Sequence, residues 1–159
     1  GFNVFGIDIS CEAINFARKW FDYIGKEYLK DKLYIGTSSK MPFNDNYFDF
    51  IISHGVLDSM AFDVAKKSIS EVYRVLKKGG LFYFDVISGN DYNHPREYEE
   101  EEIVESEHEK GTIQSYFNWR KINLMLNGKF EILDCILVQR ESVVNLIKNS
   151  RYHVIVKKL

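Results

Sequence analysis

The chain has 159 residues, 45% apolar and 15% aromatic, which is enough to build one hydrophobic core and excludes a disordered polymer. Twenty-one basic residues against 23 acidic ones leave a formal charge of −2 without a compact Lys/Arg tract, so nucleic acid is not an expected partner. No apolar run approaches the roughly 20 residues of a membrane span and no signal-peptide pattern leads the chain; Cys11 and Cys135 lack metal-type spacing, so a soluble protein of the reducing cytoplasm, bound to no membrane and no metal, is expected.

Residues 2–9 are apolar and β-branched apart from Asn3, Gly6 and Asp8, and read as a strand. Asp8 falls near its carboxyl end, the edge at which open parallel sheets bind ligands. An acid there can accept hydrogen bonds from both hydroxyls of a ribose; the alternative is that it helps Ser10 cap the next helix. That helix is expected from Ser10, with Glu12 in the first turn and Ile14, Ala17, Phe21 and Ile24 at helical spacing, up to Gly25. Residues 33–36 read as a second short strand, followed by the hydroxyl residues Thr37, Ser38 and Ser39.

Phe48, Phe50, Ile51 and Ile52 form an apolar run bounded by Asn44-Asp45-Asn46 and Ser53-His54-Gly55, which suits a strand covered on both faces of a parallel sheet. Ser53, His54 and Gly55 would then lie beside a ligand. Residues 62–77 place Val64, Ala65, Ile69, Val72, Val75 and Leu76 opposite Lys66, Lys67 and Arg74, an amphipathic helix. Lys77-Lys78 would complement its carboxyl end and Gly79-Gly80 would end it before a buried strand at 81–87.

From Ser88 the composition changes, and eight of the 23 acids fall in residues 97–109, a stretch without Lys or Arg. Residues 102–108 and 112–117 flank Glu109-Lys110-Gly111 as a hairpin would. Residues 118–127 have a helical pattern closed by Gly128, and strands are expected at 130–139 and 152–156 with a polar connection between them.

Three segments carry a family resemblance in chain order. Met41-Pro42-Phe43, then Phe48-Asp49-Phe50-Ile51-Ile52-Ser53 and Gly55-Val56-Leu57, resembles the fourth-strand region of class I S-adenosylmethionine-dependent methyltransferases, in particular the small-molecule group like the ubiquinone and menaquinone methyltransferases. Val4-Phe5-Gly6-Ile7-Asp8-Ile9-Ser10 resembles the second strand of that family, and residues 71–88, EVYRVLKKGGLFYFDVIS, the approach to its fifth. Lys129-Phe130-Glu131-Ile132-Leu133 is similar to the sixth strand, which makes the last one the antiparallel seventh.

The resemblance implies one domain over 1–159 with a Rossmann-like α/β sheet, mostly parallel, antiparallel at its C-terminal strand and flanked by helices on both faces. It implies S-adenosyl-L-methionine as cofactor, contacted by Asp8, Ile9, Ser38, Ser39, Met41, Ser53, His54 and Gly55. Ser38 and Ser39 stand where the family places an acid for the adenine amino group, a departure from its pattern. The acceptor is expected to be a small molecule, with residues 89–117 as an acidic insert or lid and Tyr92, His94, Tyr98 and Tyr116 as candidate contacts; a solvated acidic flap is the alternative. His54 is the candidate catalytic base if the acceptor must lose a proton, or else a loop histidine that meets the cofactor through backbone alone. His94 comes next, while His108 and His153 read as surface or strand residues.

No Gly-x-Gly pattern occurs, so the first strand and glycine-rich loop of that family are missing from these residues. An upstream segment, a rearranged sheet or a partner chain in a homo-oligomer is expected to fill that place, and these 159 residues alone are expected to bind the cofactor weakly. Two other readings stay open: a nucleotide-binding Rossmann oxidoreductase, and a catalytically silent S-adenosylmethionine-binding module.

Overall fold

The computed structural model describes residues 1–107 and 110–159, so His108 and the Glu109 half of the expected turn lie outside the described residues. The chain forms two compact units, Gly1–Phe43 and Asn44–Leu159.

In the first unit, β1 (Gly6–Asp8) precedes α1 (Cys11–Tyr23), and a 3-10 helix at Glu27–Lys32 leads to β2 (Leu33–Ile35). β1 and β2 pair in parallel from Gly6↔Leu33 to Asp8↔Ile35, and the Gly36 N–H extends the ladder by donating to the Asp8 carbonyl at 2.9 Å. The strand expected over 2–9 is therefore only three residues long, since its partner offers only three. Phe5 instead packs its ring against Tyr34 and Phe43, at centroid distances of 6.5 and 5.9 Å. α1 starts where its cap predicts: Ser10 Oγ accepts from the Ala13 N–H at 3.1 Å, satisfying one orphan donor of the first turn.

In the second unit, β3 (Phe48–Ser53), α2 (Phe62–Val75) and β4 (Leu76–Ile87) form a right-sized parallel crossover. A short hairpin of β5 (Glu101–Ile103) and β6 (Ile113–Ser115), then α3 (Trp119–Leu126), lead to β7 (Phe130–Ser142) and β8 (Ile147–Lys158). The main sheet runs β3-β4-β8-β7, with β3 and β4 parallel and β8 antiparallel to both its neighbours. This mixed, Rossmann-like sheet agrees with the expected antiparallel finish. Phe82, Phe84 and Val86 of β4 and Val154 and Val156 of β8 are buried, α2 packs on β4 and buries Ala65, Ile69, Val72 and Val75, and α3, which packs on α2, buries Ile122 and Met125.

Three expectations need correction. β3 is not covered on both faces: it is the edge of its sheet, and Phe50 and Ile52 are 49% and 65% exposed. Gly79-Gly80 does not end α2 and Lys77-Lys78 does not lie at its carboxyl end, because the helix stops at Val75, β4 begins at Leu76 directly after it, and the register jumps from Phe48↔Leu76 to Phe50↔Leu81. Residues 77–80 bulge out there, with Gly79 at φ 75°, and Lys77 pairs with Asp49 at 2.7 Å instead of serving the helix end. The polar connection expected between the last strands is itself ladder: Arg140↔Asn149 and Glu141↔Lys148 pair up to the closing Ser142↔Ile147.

Among the described residues no helix is long and apolar enough to cross a membrane, and no group of three or more His, Cys, Asp or Glu could hold a metal ion.

Candidate active site

β3 delivers Ser53 to its carboxyl end, and the next residues turn sharply because Gly55 adopts φ 64°. That turn aims the Gly55 N–H at Asp85 Oδ1, 2.7 Å away on the neighbouring strand β4. The same carboxylate presents Oδ2 to His54 Nδ1 at 2.9 Å and to Arg151 Nε at 2.8 Å. Arg151, on β8, also donates from Nη2 to Asp58 Oδ2 at 2.7 Å, and that oxygen accepts the Ile87 N–H at 2.8 Å. His54, Asp85, Arg151 and Asp58 thus form one connected group at the ends of three strands.

Exposure differs sharply across this group. The His54 side chain is 74% exposed, whereas those of Asp85 and Asp58 are 0% and 2% exposed. Burial opposes the charge of Asp85, but the Gly55 N–H, the bond and charge of Arg151, and His54 outweigh it and lower the carboxyl below its ordinary range. At Asp58 burial prevails over the same arginine and the carboxyl is raised, and its buried Oδ1 has no hydrogen-bond partner among the described residues. One guanidinium therefore serves two carboxylates, and with the Gly55 N–H and His54 it outweighs burial at the one nearest the imidazole.

The insert gathers a second cluster. His94 Nδ1 lies 3.1 Å from both Asp91 oxygens and Nε2 lies 3.0 Å from Glu102 Oε1, which also accepts the Tyr98 hydroxyl at 2.6 Å. The Tyr116 ring closes over both, 4.9 Å from the His94 ring and 5.2 Å from that of Tyr98. Tyr92 stands apart, donating to Glu141 on β7 at 2.6 Å. Elsewhere a cleft of about 350 Å³ is lined by Phe62, Glu99, Arg120, Lys121 and Leu124. Lys121 is buried beside it, donating to the Glu99 carbonyl at 2.7 Å and to Ser115 Oγ at 2.8 Å.

In the first unit Asp8 is exposed at the end of β1, with Oδ1 accepting the Ser10 N–H at 2.7 Å. Both readings of this acid are compatible, since one oxygen braces the cap and the other is left to accept a ribose hydroxyl. The remaining acceptor oxygen therefore fits the ribose of a nucleoside cofactor. Ile9 follows, 76% exposed. Ser38 and Ser39 sit in a tight turn where Thr37 Oγ1 and Ser39 Oγ are 3.0 Å apart and the Lys40 N–H donates to the Thr37 carbonyl, with the half-buried Met41 just beyond.

Sequence reading missed Asp85, Arg151, Asp58, Asp91 and Glu102. Asp85 had a signal: it interrupts the apolar run Leu81-Phe82-Tyr83-Phe84, and a charge in a buried strand requires a partner. The partner, 66 positions away, had none.

The fold is that of class I S-adenosylmethionine-dependent methyltransferases: such a methyltransferase from Methanosarcina mazei superposes with a TM-score of 0.79 at 24% identity, over 98% of this chain and 82% of the other. The profile of the methyltransferase-domain family matches residues 1–84, and the chain belongs to that family. S-adenosyl-L-methionine is the cofactor the family implies. An uncharacterized protein of Haemophilus influenzae is 32% identical over 96 residues, 58% of this chain and 37% of that protein. A fatty-acid O-methyltransferase of Mycolicibacterium smegmatis is 30% identical over 79 residues, 50% of this chain and 26% of that enzyme. The chain thus spans well under half the length of these curated relatives.

Proposed function

We propose that the protein transfers the methyl group of S-adenosylmethionine to an oxygen atom of a small molecule. The observation that carries this reading is the exposed imidazole of His54 at the carboxyl end of β3, backed by a buried carboxylate and lying inside the segment that the family profile matches. The fatty-acid O-methyltransferase among the relatives favours an oxygen acceptor.

The cofactor, when bound, supplies an activated sulfonium methyl. Asp8 would hold the ribose through its carboxylate, with Ile9, Ser38, Ser39 and Met41 as further candidate contacts in the first unit; Ser53 and Gly55 are the candidate cofactor contacts of the second. The Gly55 N–H is taken by Asp85 and its carbonyl accepts the Ser59 hydroxyl. Much of the barrier is lowered by alignment of donor and acceptor, an effect worth roughly 7–11 kcal/mol in well-oriented systems. His54 receives the acceptor proton, and Tyr92, His94 and Tyr116 border the acceptor. The exposed thiol of Cys11 fits a reducing cytoplasmic setting.

The test is transfer of a labelled methyl group from S-adenosylmethionine to catechol and to octanoate, with cofactor binding followed by calorimetry. Saturable binding and labelled ether or ester are expected. Absence of both binding and transfer would sink the reading.

A further inference from the structure

Resting on the methyl-transfer reading, we propose that Asp85 is a positioning residue that fixes the proton of His54 on Nδ1, so that Nε2 serves as the base for an acceptor that must lose a proton, a hydroxyl or phenol rather than a carboxylate.

The geometry leaves one arrangement. Asp85 is buried and ionised, and a carboxylate only accepts: Oδ1 takes the Gly55 N–H at 2.7 Å, while Oδ2 faces Arg151 Nε at 2.8 Å and His54 Nδ1 at 2.9 Å. An imidazole nitrogen held at that distance from a carboxylate oxygen carries the proton, because a bare lone pair there would repel it. The neutral ring then has its lone pair on Nε2, which has no partner among the described residues and belongs to a side chain that is 74% exposed. Arg151 keeps the arrangement in place. Without it Asp85 would be a buried charge paired only to a solvent-exposed ring, and protonation of the acid would release the imidazole. Gly55 contributes through its turn, which brings the residue before it over β4.

This device is wasted on an acceptor that is already an anion. A fatty-acid carboxylate carries its nucleophilic lone pairs at neutral pH and gives up no proton. An alcohol or phenol does: its O–H bond breaks as Nε2 takes the proton, and an oxygen lone pair forms the new bond to the methyl carbon. The pair of the broken C–S bond stays on sulfur, turning sulfonium into thioether, and the positive charge passes to the imidazolium and then to solvent as a proton. The buried carboxylate stabilises that imidazolium in the way the aspartate of a hydrolase triad does.

The first test needs no ligand. In protein labelled with ¹⁵N-histidine, long-range ¹H–¹⁵N correlation spectra separate protonated from bare ring nitrogens, with the His54 signals assigned by their loss in His54→Gln. In the neutral ring the proton is expected on Nδ1; a neutral ring with its proton on Nε2 overturns the proposal whatever the activity. Asp85→Asn leaves one oxygen and one NH₂ facing three donors and removes the charge, so the preference for the Nδ1 proton should weaken. If that variant does not fold, the wild-type tautomer still decides. The second test is transfer from labelled S-adenosylmethionine. His54→Gln should lower catechol methylation by about 10²–10⁴-fold with cofactor affinity preserved. Methylation of octanoate but not catechol by the wild type, or undiminished catechol turnover in the variant, overturns the acceptor class. No transfer to either with the cofactor bound overturns the acceptor class; absence of both binding and transfer refutes the methyl-transfer reading as well, while an Nδ1 tautomer leaves the Asp85–His54 pairing standing.

Discussion

The imidazole of His94 stacks on the phenol ring of Tyr98, 4.1 Å between centroids and 20° between planes. Both side chains reach Glu102 Oε1, at 3.0 and 2.6 Å, so the loop after β4 is tied to the β5–β6 hairpin through one carboxylate. The Asp91 side chain closes the clamp from the other side of the ring, and its Oδ1 also accepts the backbone N–H groups of Asn93 and His94 at 2.7 and 2.8 Å.

Clamp strength should depend on pH. Burial alone would lower the His94 pKa, but the hydrogen bond and charge of Asp91 and the charge of Glu102 outweigh it, and the imidazole is raised above its ordinary value. A raised base contributes stability that is fully present below the unfolded value of about 6.5 and is lost as pH rises through the folded one. For Asp91 burial is likewise outweighed, here by the His94 side chain and the two backbone N–H groups, so the carboxyl is lowered. Its contribution is present above about pH 3.9 and lost as pH falls through the depressed value. Amide exchange at residues 91–98, corrected for intrinsic rates, should be slowest between these windows and should accelerate as His94 deprotonates. In His94→Gln the alkaline acceleration should vanish; protection that ignores pH in the wild type would dissolve the clamp.

Asp8→Ala should weaken S-adenosylmethionine binding by about 1.5–3 kcal/mol, the usual worth of hydrogen bonds to a charged group. Because Asp8 Oδ1 also braces the Ser10 N–H, Asp8→Asn is the informative companion: it keeps an acceptor for the cap and loses the charge. Calorimetry should rank wild type above Asn above Ala, with far-UV dichroism unchanged. Equal affinity for all three would take Asp8 out of the ribose site.

Arg151→Met should destabilise the second unit by about 3–5 kcal/mol, because it strands two buried carboxylates that share one guanidinium. Urea unfolding gives the number. The simultaneous change Asp58→Asn should recover part of it, since Asp58 is the acid whose carboxyl burial already pushes toward the neutral form. Additive losses in the double variant would mean that the arginine does not couple the two acids.

Much of this was legible in the sequence where a segment carried its own signal. Ser10 announces its helix because a cap acts on a neighbour three residues on, and its side chain does accept from that N–H. The parallel β3–β4 step follows from apolar runs separated by an amphipathic helix, and the antiparallel finish from the family resemblance. Edge position was not legible: Phe50 and Ile52 look like core in composition, and only the sheet order exposes them. Nor was the pairing at 140–149, since Arg140, Glu141, Lys148 and Asn149 read as loop in a row and become cross-strand neighbours only in register. In the site, His54 and Gly55 stood out by their place after a strand, whereas Arg151 gains its role from contacts 66 and 93 residues away in sequence.

Gly55 should be intolerant of most side chains for a reason that is conformational and not steric. Its φ is 64°, yet a Cβ built there would meet nothing within 4 Å, so the cost of Gly55→Ala is that of holding an L residue in the left-handed region, about 1–2 kcal/mol. Relief would come by rotating the 54–55 peptide toward ordinary values, which swings the N–H off Asp85 Oδ1 and leaves a buried carboxylate oxygen short of a donor. Gly55→Asn should cost less, because asparagine visits the left-handed region with a smaller penalty. Denaturant midpoints should therefore fall in the order Gly, Asn, Ala, and the ¹⁵N signals of His54 should move in the Ala variant more than in the Asn variant. If Ala and Asn are equally stable, or if alanine leaves the imidazole signals where they were, the turn at Gly55 does not set the geometry of the His54–Asp85 pair.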